Sequence, residues 1–256
     1  MTEKFVREKL PASIRAHIEL LERMRQDFVA NVSHELRTPL TVIRGYVELL
    51  KDQPEFQTSR YAPMFTHMLE HTLRMGHLID DLLLLSHLES HEQEVEVGEV
   101  VDVPALLFRV VDDAKNISGD NEHHITLTAD SNLKLIGIKE ELKSLFSNLI
   151  INAVKYTPKQ GSVFIHWEVV DGQPVFFVKD TGIGIAKKHL PRITERFYRV
   201  DKARSRESGG TGLGLAIVKH VVLRHEAELR IESKLHEGST FTCLFPMSRL
   251  ANGAKS

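Results

Sequence analysis

The 256-residue sequence predicts a helical hairpin followed by an α+β domain. In the first 90 residues, apolar side chains recur every three or four positions, as they do along one face of an amphipathic helix. From about residue 93, short runs rich in β-branched and aromatic residues indicate strands, with helical windows between them. The composition is 42% hydrophobic and 27% charged with a net charge of −2, which excludes wholesale disorder and a collagen-like fibre.

The amino-terminal part predicts two long antiparallel helices. Apolar positions run from Ile14 to Leu50, break at the sequence DQPEFQTS, and resume at Met64. We expect the first helix to bend at Pro39, which has no N–H to donate to the carbonyl of Glu35. A lone hairpin leaves half of its apolar seam uncovered, and a second copy of the chain would cover it in a four-helix bundle. The sequence therefore predicts a homodimer.

The carboxyl-terminal part predicts a two-layer domain. Its strand-like stretches are VEVGEVVDV, HITLTAD, SVFIHWEVV, QPVFFVKD, ELRIES and STFTCLFP. Helical windows lie at 104–116, 139–156 and 212–225. This order favours helices on one face of a mostly antiparallel sheet. We divide the chain into a helical domain, a linker, an α+β domain and a tail, at residues 1–92, 93–103, 104–249 and 250–256.

Cysteine content and hydropathy bear on the location of the chain. Cys243 is the only cysteine, so an internal disulfide and a multi-cysteine zinc site are excluded, and a reducing compartment fits best. No apolar stretch approaches the roughly 20 residues that span a bilayer, and the amino terminus lacks the pattern of a secretory signal. We expect a cytoplasmic chain, either free or as the cytoplasmic part of a longer protein of the inner membrane, with no nucleic-acid partner.

A polar face of the first helix carries a candidate nucleophile. The polar positions that recur at helical spacing, on another face than the apolar seam, are Asp27, Asn31, His34, Thr38 and Thr41. His34 should therefore point away from the core, with Glu35 beside it. An exposed imidazole with a neighbouring carboxylate has the parts of a nucleophile, and Thr38, one turn on, is placed to position a water.

Basic and glycine residues indicate an anion site further along the chain. Residues 187–206 carry eight basic side chains and two acidic ones, and six of the 15 glycines lie within 182–214. The charge run alone is typical of a solvated surface, but the glycines indicate a backbone that approaches a ligand or moves. The sequence contains no GxxxxGK[ST], which excludes a Walker-type nucleotide site.

Three segments together predict another kind of nucleotide site. Asn148, Asn152 and Lys155 share one helical face, which offers two amide oxygens for magnesium and a base for phosphate. Asp180 ends a strand and opens DTGIGI, where a carboxylate can accept a hydrogen bond from the amino group of adenine. The glycines of GGTGLGL precede a helix, whose free N–H groups and dipole favour a triphosphate.

These motifs resemble those of one family. VSHELRTPLT resembles the H-box of the sensor histidine kinases of two-component systems, and NLIINAVKYTP, DTGIGI, ERFYR and GGTGLGL resemble the N, G1, F and G2 boxes of the same family, in the same order. The resemblance covers residues 12–246 and is strongest to the phosphate-regulon sensor kinases. It implies that His34 is the phosphoacceptor, that Glu35 is its acid/base partner, and that Thr38 helps to hydrolyse phosphate from the regulator.

The same resemblance implies the ATP-binding fold of gyrase, Hsp90 and MutL proteins. Magnesium would lie on Asn148 and Asn152, and Asp180 would read adenine. Lys155 and Tyr156 would contact phosphate and base, and Arg199 would reach the phosphates from a mobile lid at 197–212. The remaining expected nucleotide contacts are glycines of the G1 and G2 boxes and their neighbours: Gly182, Gly184, Gly210, Thr211, Gly212, Leu213, Gly214 and Leu215.

The expected activity is phosphoryl transfer in two steps. The chain would phosphorylate His34 from Mg-ATP, pass the phosphoryl group to an aspartate of a response regulator receiver domain, and also dephosphorylate that regulator. Four alternatives stay open. These are an ATP-gated conformational module without a phosphohistidine, a phosphatase-dominant partner, an inactive scaffold, and a serine-phosphorylating relative that does not need His34.

Overall fold

The protein was analysed as a computed structural model, which describes residues 11–57, 59–90, 98–200 and 210–251. The chain divides into two compact units, Met1–Gln93 and Glu94–Ser256.

The first unit is the predicted helical hairpin. Helix α1 spans Ala12–Lys51, the short helix α2 spans Pro54–Gln57 within the expected break, and helix α3 spans Ala62–Ser90. Helix α1 continues without interruption past Pro39. In the described part of the chain, no helix combines the length and apolarity that a membrane crossing requires.

Helices α1 and α3 pack against each other along only part of their apolar surface. Val47, Leu85 and Leu88 are buried. Most of the predicted seam is between 36% and 67% exposed in the single chain, namely Ile14, Leu21, Phe28, Val32, Ile43, Leu50, Met64, Met68, Met75 and Leu82. An apolar surface of this extent is typical of an interaction face.

The second unit is the predicted α+β domain. Its helices are α4 (Val103–Ser118), α5 (Lys139–Tyr156) and α6 (Gly214–Arg224). The larger sheet has the order β2-β4-β5-β7-β6, with strands His124–Ala129, Ser162–Val170, Gln173–Asp180, Gly238–Leu244 and Glu228–Lys234. Only β2 and β4 pair in parallel, so the sheet is mostly antiparallel as expected.

One face of this sheet packs against the helices. Phe146 of α5 contacts Trp167 of β4 at a ring-centroid distance of 6.4 Å and Phe176 of β5 at 4.6 Å. All three rings are fully buried, and Trp167 also donates its indole N–H to the carbonyl of Leu133 at 2.8 Å. These contacts place the core between the sheet and helix α5.

A second, three-stranded sheet corrects the expected domain bounds. Its order is β1-β3-β8, with strands Glu99–Val101, Lys134–Gly137 and Leu250–Ala251. Strand β1 lies in the expected linker 93–103 and β8 in the expected tail 250–256, yet both pair with β3. The α+β domain therefore extends beyond 104–249 on both sides. The structure also contains 3-10 turns at Gly119–Asn121, Leu190–Arg192 and Met247–Arg249.

A buried polar cluster lies where α5 begins and α6 ends. His225 is 2% exposed; its Nδ1 donates to the carbonyl of Val221 at 2.9 Å, and its Nε2 accepts from the backbone N–H of Ile138 at 3.2 Å. Burial lowers the pKa of His225 to about 4; the hydrogen bond to Val221 acts in the opposite direction, and the charges of Arg249 and Arg224 lower the pKa further. The folded protein therefore holds this imidazole neutral.

We expect the pKa of His225 to make the stability of the second unit depend on pH. Below pH 6.5 the unfolded chain binds a proton at this histidine that the folded chain excludes until about pH 4. The free energy of unfolding should therefore fall by roughly 3 kcal/mol from this group as the pH drops through that window. Urea unfolding followed by the fluorescence of Trp167, the only tryptophan, measures it.

The matched control is His225→Gln, which cannot titrate. Carboxylates that do not contact His225 contribute equally to the pH dependence of both proteins, so the difference between them reports His225 together with the neighbouring Glu141, whose carboxylate lies 3.8 Å from Nδ1. Equal losses of stability between pH 6.5 and pH 4 in both proteins would contradict the prediction.

Candidate functional site

The candidate nucleophile lies on the exposed side of helix α1. His34, Glu35 and Thr38 are all exposed, whereas the preceding residue, Ser33, is 1% exposed. The expected outward position of His34 is thus confirmed. The hydroxyl of Thr38 donates to the carbonyl of His34 at 3.3 Å, a long bond of the kind that a threonine forms one turn back along its own helix.

A cross-helix contact fixes the segment around His34 within the hairpin. The guanidinium of Arg37 on α1 donates to the carboxylate of Asp80 on α3 at 2.6 Å. A groove of about 260 Å³ opens beside this ion pair, and its lining includes Thr41, Arg44 and His77. The groove begins at Arg37, about one turn after His34 along α1, and both polar and apolar side chains line it.

Asn148 of helix α5 faces the start of helix α6. The amide N–H group of Asn148 donates to the carbonyl of Ser144 at 2.9 Å and to its hydroxyl at 3.3 Å. The amide oxygen lies so close to Gly214 that a Cβ atom there would stand 2.2 Å from it. Asn152 follows one turn later and is half-buried. An amide oxygen beside a helix amino terminus, with a second asparagine one turn further along α5, fits magnesium and phosphate.

A buried carboxylate closes the end of strand β5. Asp180 is 5% exposed, and its Oδ1 accepts from the backbone N–H groups of Gly182 at 2.8 Å and Ser239 at 3.2 Å. Burial raises the pKa of Asp180, and the two hydrogen bonds oppose that rise. Both bonds orient the same oxygen and so fix the direction of the carboxylate.

The glycines of the G1 box are needed for contacts within the protein. A Cβ atom on Gly182 would lie 2.5 Å from the carbonyl oxygen of Tyr156, and one on Gly184, whose φ is +64°, would lie 2.0 Å from that of Lys234. The N–H of Ile183 also donates to the carbonyl of Tyr156 at 3.1 Å. The loop is therefore fixed against the end of α5, which carries the exposed Lys155 and Tyr156.

The G2 box meets the F box in a similar way. Gly212 has a φ of +76°, and its carbonyl accepts from the N–H of Phe197 at 2.8 Å. The Cβ position of Gly210 lies 4.0 Å from Nη2 of Arg199 and 4.0 Å from Oη of Tyr156. Arg199, Tyr156 and Gly210 thus lie around one space. The middle of the expected lid, 201–209, lies outside the described residues.

Between these glycines, the G2 box forms a short turn into α6. The hydroxyl of Thr211 accepts from the N–H of Leu213 at 3.1 Å. The side chain of Leu213 is 1% exposed and belongs to the core, so only its backbone can face a ligand; Leu215 is half-buried.

A cluster that joins the F box to the residues before it was not predicted from the sequence. Nδ1 of His189 and the hydroxyl of Tyr198 are hydrogen-bonded at 2.7 Å, and the guanidinium of Arg192 lies 4.4 Å from the centroid of the Tyr198 ring. Arg192 also pairs with Glu195 at 3.1 Å. Part of the basic run therefore serves to hold Tyr198, the neighbour of Arg199. The nine-residue separation of His189 and Tyr198 gave no periodic signal for this contact.

Comparison with known protein families accounts for both units. Residues 24–91 match the His Kinase A (phospho-acceptor) domain, which includes the helical segment around His34. Residues 137–249 match the histidine kinase-, DNA gyrase B- and HSP90-like ATPase family, which includes the N, G1, F and G2 boxes.

Similar proteins carry the same two domains. The chain is 49% identical over 238 residues to the phosphate regulon sensor protein PhoR of Pseudomonas aeruginosa, covering 93% of this chain and 54% of that protein. It is 40% identical over 222 residues to PhoR of Haemophilus influenzae, covering 87% of this chain and 51% of the relative. The chain thus spans about half the length of these relatives.

A solved structure supports the arrangement of elements. Full-length ShkA in complex with AMPPNP matches 89% of this chain and 46% of its own, with a TM-score of 0.72 and 27% identity. With the two domains, the ordered boxes and the similarity to PhoR proteins, the chain belongs to the sensor histidine kinases of two-component systems.

Proposed function

We propose that this chain phosphorylates His34 from Mg-ATP, passes the phosphoryl group to an aspartate of a response regulator receiver domain, and dephosphorylates that regulator. The observation that carries the proposal is an exposed His34 with Glu35 beside it, in the same chain as a site where Asn148, Asp180 and the start of α6 provide ligands for a nucleotide.

In this proposal, the second unit holds the nucleotide by three kinds of contact. Asp180 receives the amino group of adenine on the oxygen that is not bonded to Gly182. The first turn of α6 directs N–H groups and the positive end of its dipole at the phosphates. Lys155 and Arg199 add positive charge. Asn148 and Asn152 would hold magnesium, which supplies charge neutralisation on the β- and γ-phosphates.

The phosphoryl transfer is an in-line displacement. A ring nitrogen of His34 attacks the γ-phosphorus, so an N–P bond forms while the bond to the leaving oxygen of ADP breaks. Glu35 accepts the proton of the other ring nitrogen and returns it later. In such reactions positioning and electrostatic stabilisation provide most of the rate.

The second transfer moves the phosphoryl group from His34 to the regulator's aspartate. The exposed position of His34 and the polar groove near Arg37 support docking of a partner at this surface. In the separate dephosphorylation of the regulator, the exposed Thr38 positions a water that attacks the aspartyl phosphate, which releases inorganic phosphate and the free aspartate. The similarity to phosphate regulon sensor proteins supports a place in phosphate-dependent signalling, in the cytoplasm where ATP and the regulator are available.

We also propose that the working form is a homodimer. The exposed apolar side chains of α1 and α3 would be covered by the same face of a second hairpin, which completes a four-helix bundle.

The first test replaces His34 with glutamine. After incubation with γ-labelled ATP and magnesium, the native chain should carry an acid-labile, alkali-stable label, and His34→Gln should carry none because the attacking nitrogen is gone. His71→Gln, at an exposed histidine of α3, is the matched control and should label normally. Label that survives in His34→Gln would favour a serine-phosphorylating relative. A native chain that binds ATP without labelling would favour the gated-module or phosphatase-dominant reading.

The second test separates the two activities by Thr38→Ala. Autophosphorylation should stay within about twofold of native, because Thr38 does not contact the attacking nitrogen in the proposed mechanism. Dephosphorylation of the regulator should fall by about 10- to 100-fold, because the water loses its positioning group. Thr66→Ala on α3 is matched, since its hydroxyl makes the same type of bond to the carbonyl of Ala62 at 3.3 Å and does not line the groove, and it should spare both rates. Equal loss of both activities in Thr38→Ala would refute the division of labour.

The third test concerns adenine recognition. In Asp180→Asn an amide oxygen can still accept from Gly182 and Ser239, but the amide N–H group now opposes the amino group of adenine. The Kd for an ATP analogue, measured by calorimetry, should rise by about 10- to 100-fold, the effect of losing a hydrogen bond to a charged group. Asp171→Asn, in the exposed turn between β4 and β5, is the control. Native affinity in Asp180→Asn would rule out this role.

A further inference from the structure

Helices α5 and α6 meet at two separate junctions. The first lies at the nucleotide site, where the amide oxygen of Asn148 fills the space that a side chain on Gly214 would need. The second lies at the opposite ends of the helices, where Nε2 of His225 accepts from the N–H of Ile138 at 3.2 Å. Since the start of α5 meets the end of α6, the two helices run antiparallel between the junctions.

The distal junction is closed by two ion pairs as well as by His225. Nε of Arg224 donates to the carboxylate of Glu141 at 3.1 Å, and both side chains are 4% exposed. Nη2 of Arg249 donates to the carboxylate of Glu226, which is exposed, at 3.0 Å and to the carbonyl of Arg224 at 3.4 Å. The buried pair of Arg224 and Glu141 resists rearrangement, because separation would leave a charge without compensation.

The hydrogen bonds of His225 define a single arrangement of its ring. The carbonyl of Val221 can only accept, so Nδ1 carries the proton, and Nε2 then offers its lone pair to Ile138. The space for the ring exists because residue 137 is glycine: a Cβ atom there would lie 2.8 Å from Nε2. In turn, a Cβ atom on Gly98 would lie 2.6 Å from Cα of Gly137. The imidazole therefore fills a site shaped for it.

The spacing of the junctions is nearly equal along both helices. Ile138 and Asn148 are ten residues apart, and Gly214 and His225 are eleven apart. At 1.5 Å per residue these are lengths of about 15 Å and 16 Å. Because helices behave as rods over this distance, the distal junction sets how the first turn of α6 lies against Asn148.

We propose that His225 is a positioning residue for nucleotide binding, which holds the first turn of α6 at the correct distance from the asparagine face of α5 through its bond to the N–H of Ile138. The inference rests on the proposed binding of ATP at this site. It assigns a role to a histidine that touches neither nucleotide nor His34, and it predicts a change in affinity rather than in the chemical step.

The experiment compares His225→Phe, which removes both ring hydrogen bonds, with His225→Gln, whose amide oxygen can still accept from Ile138. The Kd for Mg-AMPPNP is measured by calorimetry, the KM and kcat for labelling of His34 by kinetics, and folding by the fluorescence of Trp167. Leu107→Ala is the control. Leu107 is fully buried in α4, which carries neither junction, and its truncation lowers stability without touching them.

His225→Phe should raise Kd and KM by about tenfold while kcat at saturating ATP stays within about twofold, because small displacements of positioning groups cost up to about 100-fold. His225→Gln should keep Kd within about threefold of native, and Leu107→Ala should keep the native Kd. Native affinity in folded His225→Phe, equal weakening in His225→Gln, or the same rise in Leu107→Ala would overturn the proposal.

Two further outcomes remain decisive. If His225→Phe does not fold, Glu141→Gln tests the same junction through Arg224: a rise in Kd of about threefold or more supports the proposal, and an unchanged Kd overturns it. A native chain that does not bind AMPPNP overturns the proposed function itself. A native chain that binds it, with unchanged affinity in the variants, overturns only the role of His225.

Discussion

The second unit is organised around a buried carboxylate, that of Asp180, which needs hydrogen-bond donors from the protein in place of water. Removing a charged or polar group from water is costly unless hydrogen bonds replace the lost solvent. Asp180 meets this requirement with the N–H groups of Gly182 and Ser239, which come from the loop after β5 and from β7. That loop is then tied to the end of α5 by Ile183 and Tyr156. The position of the proposed adenine contact thus determines where three neighbouring elements can lie.

Sequence periodicity predicted the long elements well, because each contains several repeats of its pattern. The window 139–156 coincides with helix α5, and the 3-4 spacing gave the outward position of His34. Strand β1 lies within the predicted stretch VEVGEVVDV, but the sheet β1-β3-β8 was not predicted, because β3 and β8 have four and two residues, too few to show alternation, and their pairing joins distant segments. The contacts of His225 escaped it for a related reason: Ile138 lies 87 residues away.

The structure gives the G1-box glycines and part of the basic run other roles than the sequence suggested. Gly182 and Gly184 were expected to contact the nucleotide, but the space left by their missing side chains is filled by the protein's own backbone. The basic run was expected to hold an anion, yet Arg192 is engaged with Tyr198 and Glu195. Arg199, near Gly210, is the described base of that run which faces the space at the G2 box. The local composition thus indicates where such a site lies, but it does not show which role each basic residue has.

The exposed apolar surface of the hairpin has a consequence for how the protein is made. The second unit encloses Trp167, Phe146 and Phe176 within one chain, so its folding is a first-order event. The stability of a hairpin that completes its core with a second molecule rises with the concentration of the protein. Newly synthesised chains would then pass through a stage in which the nucleotide-binding domain is folded while the apolar face of the hairpin is still exposed and prone to association. At low expression, the low concentration of the protein would limit the fraction of chains that have a complete four-helix bundle.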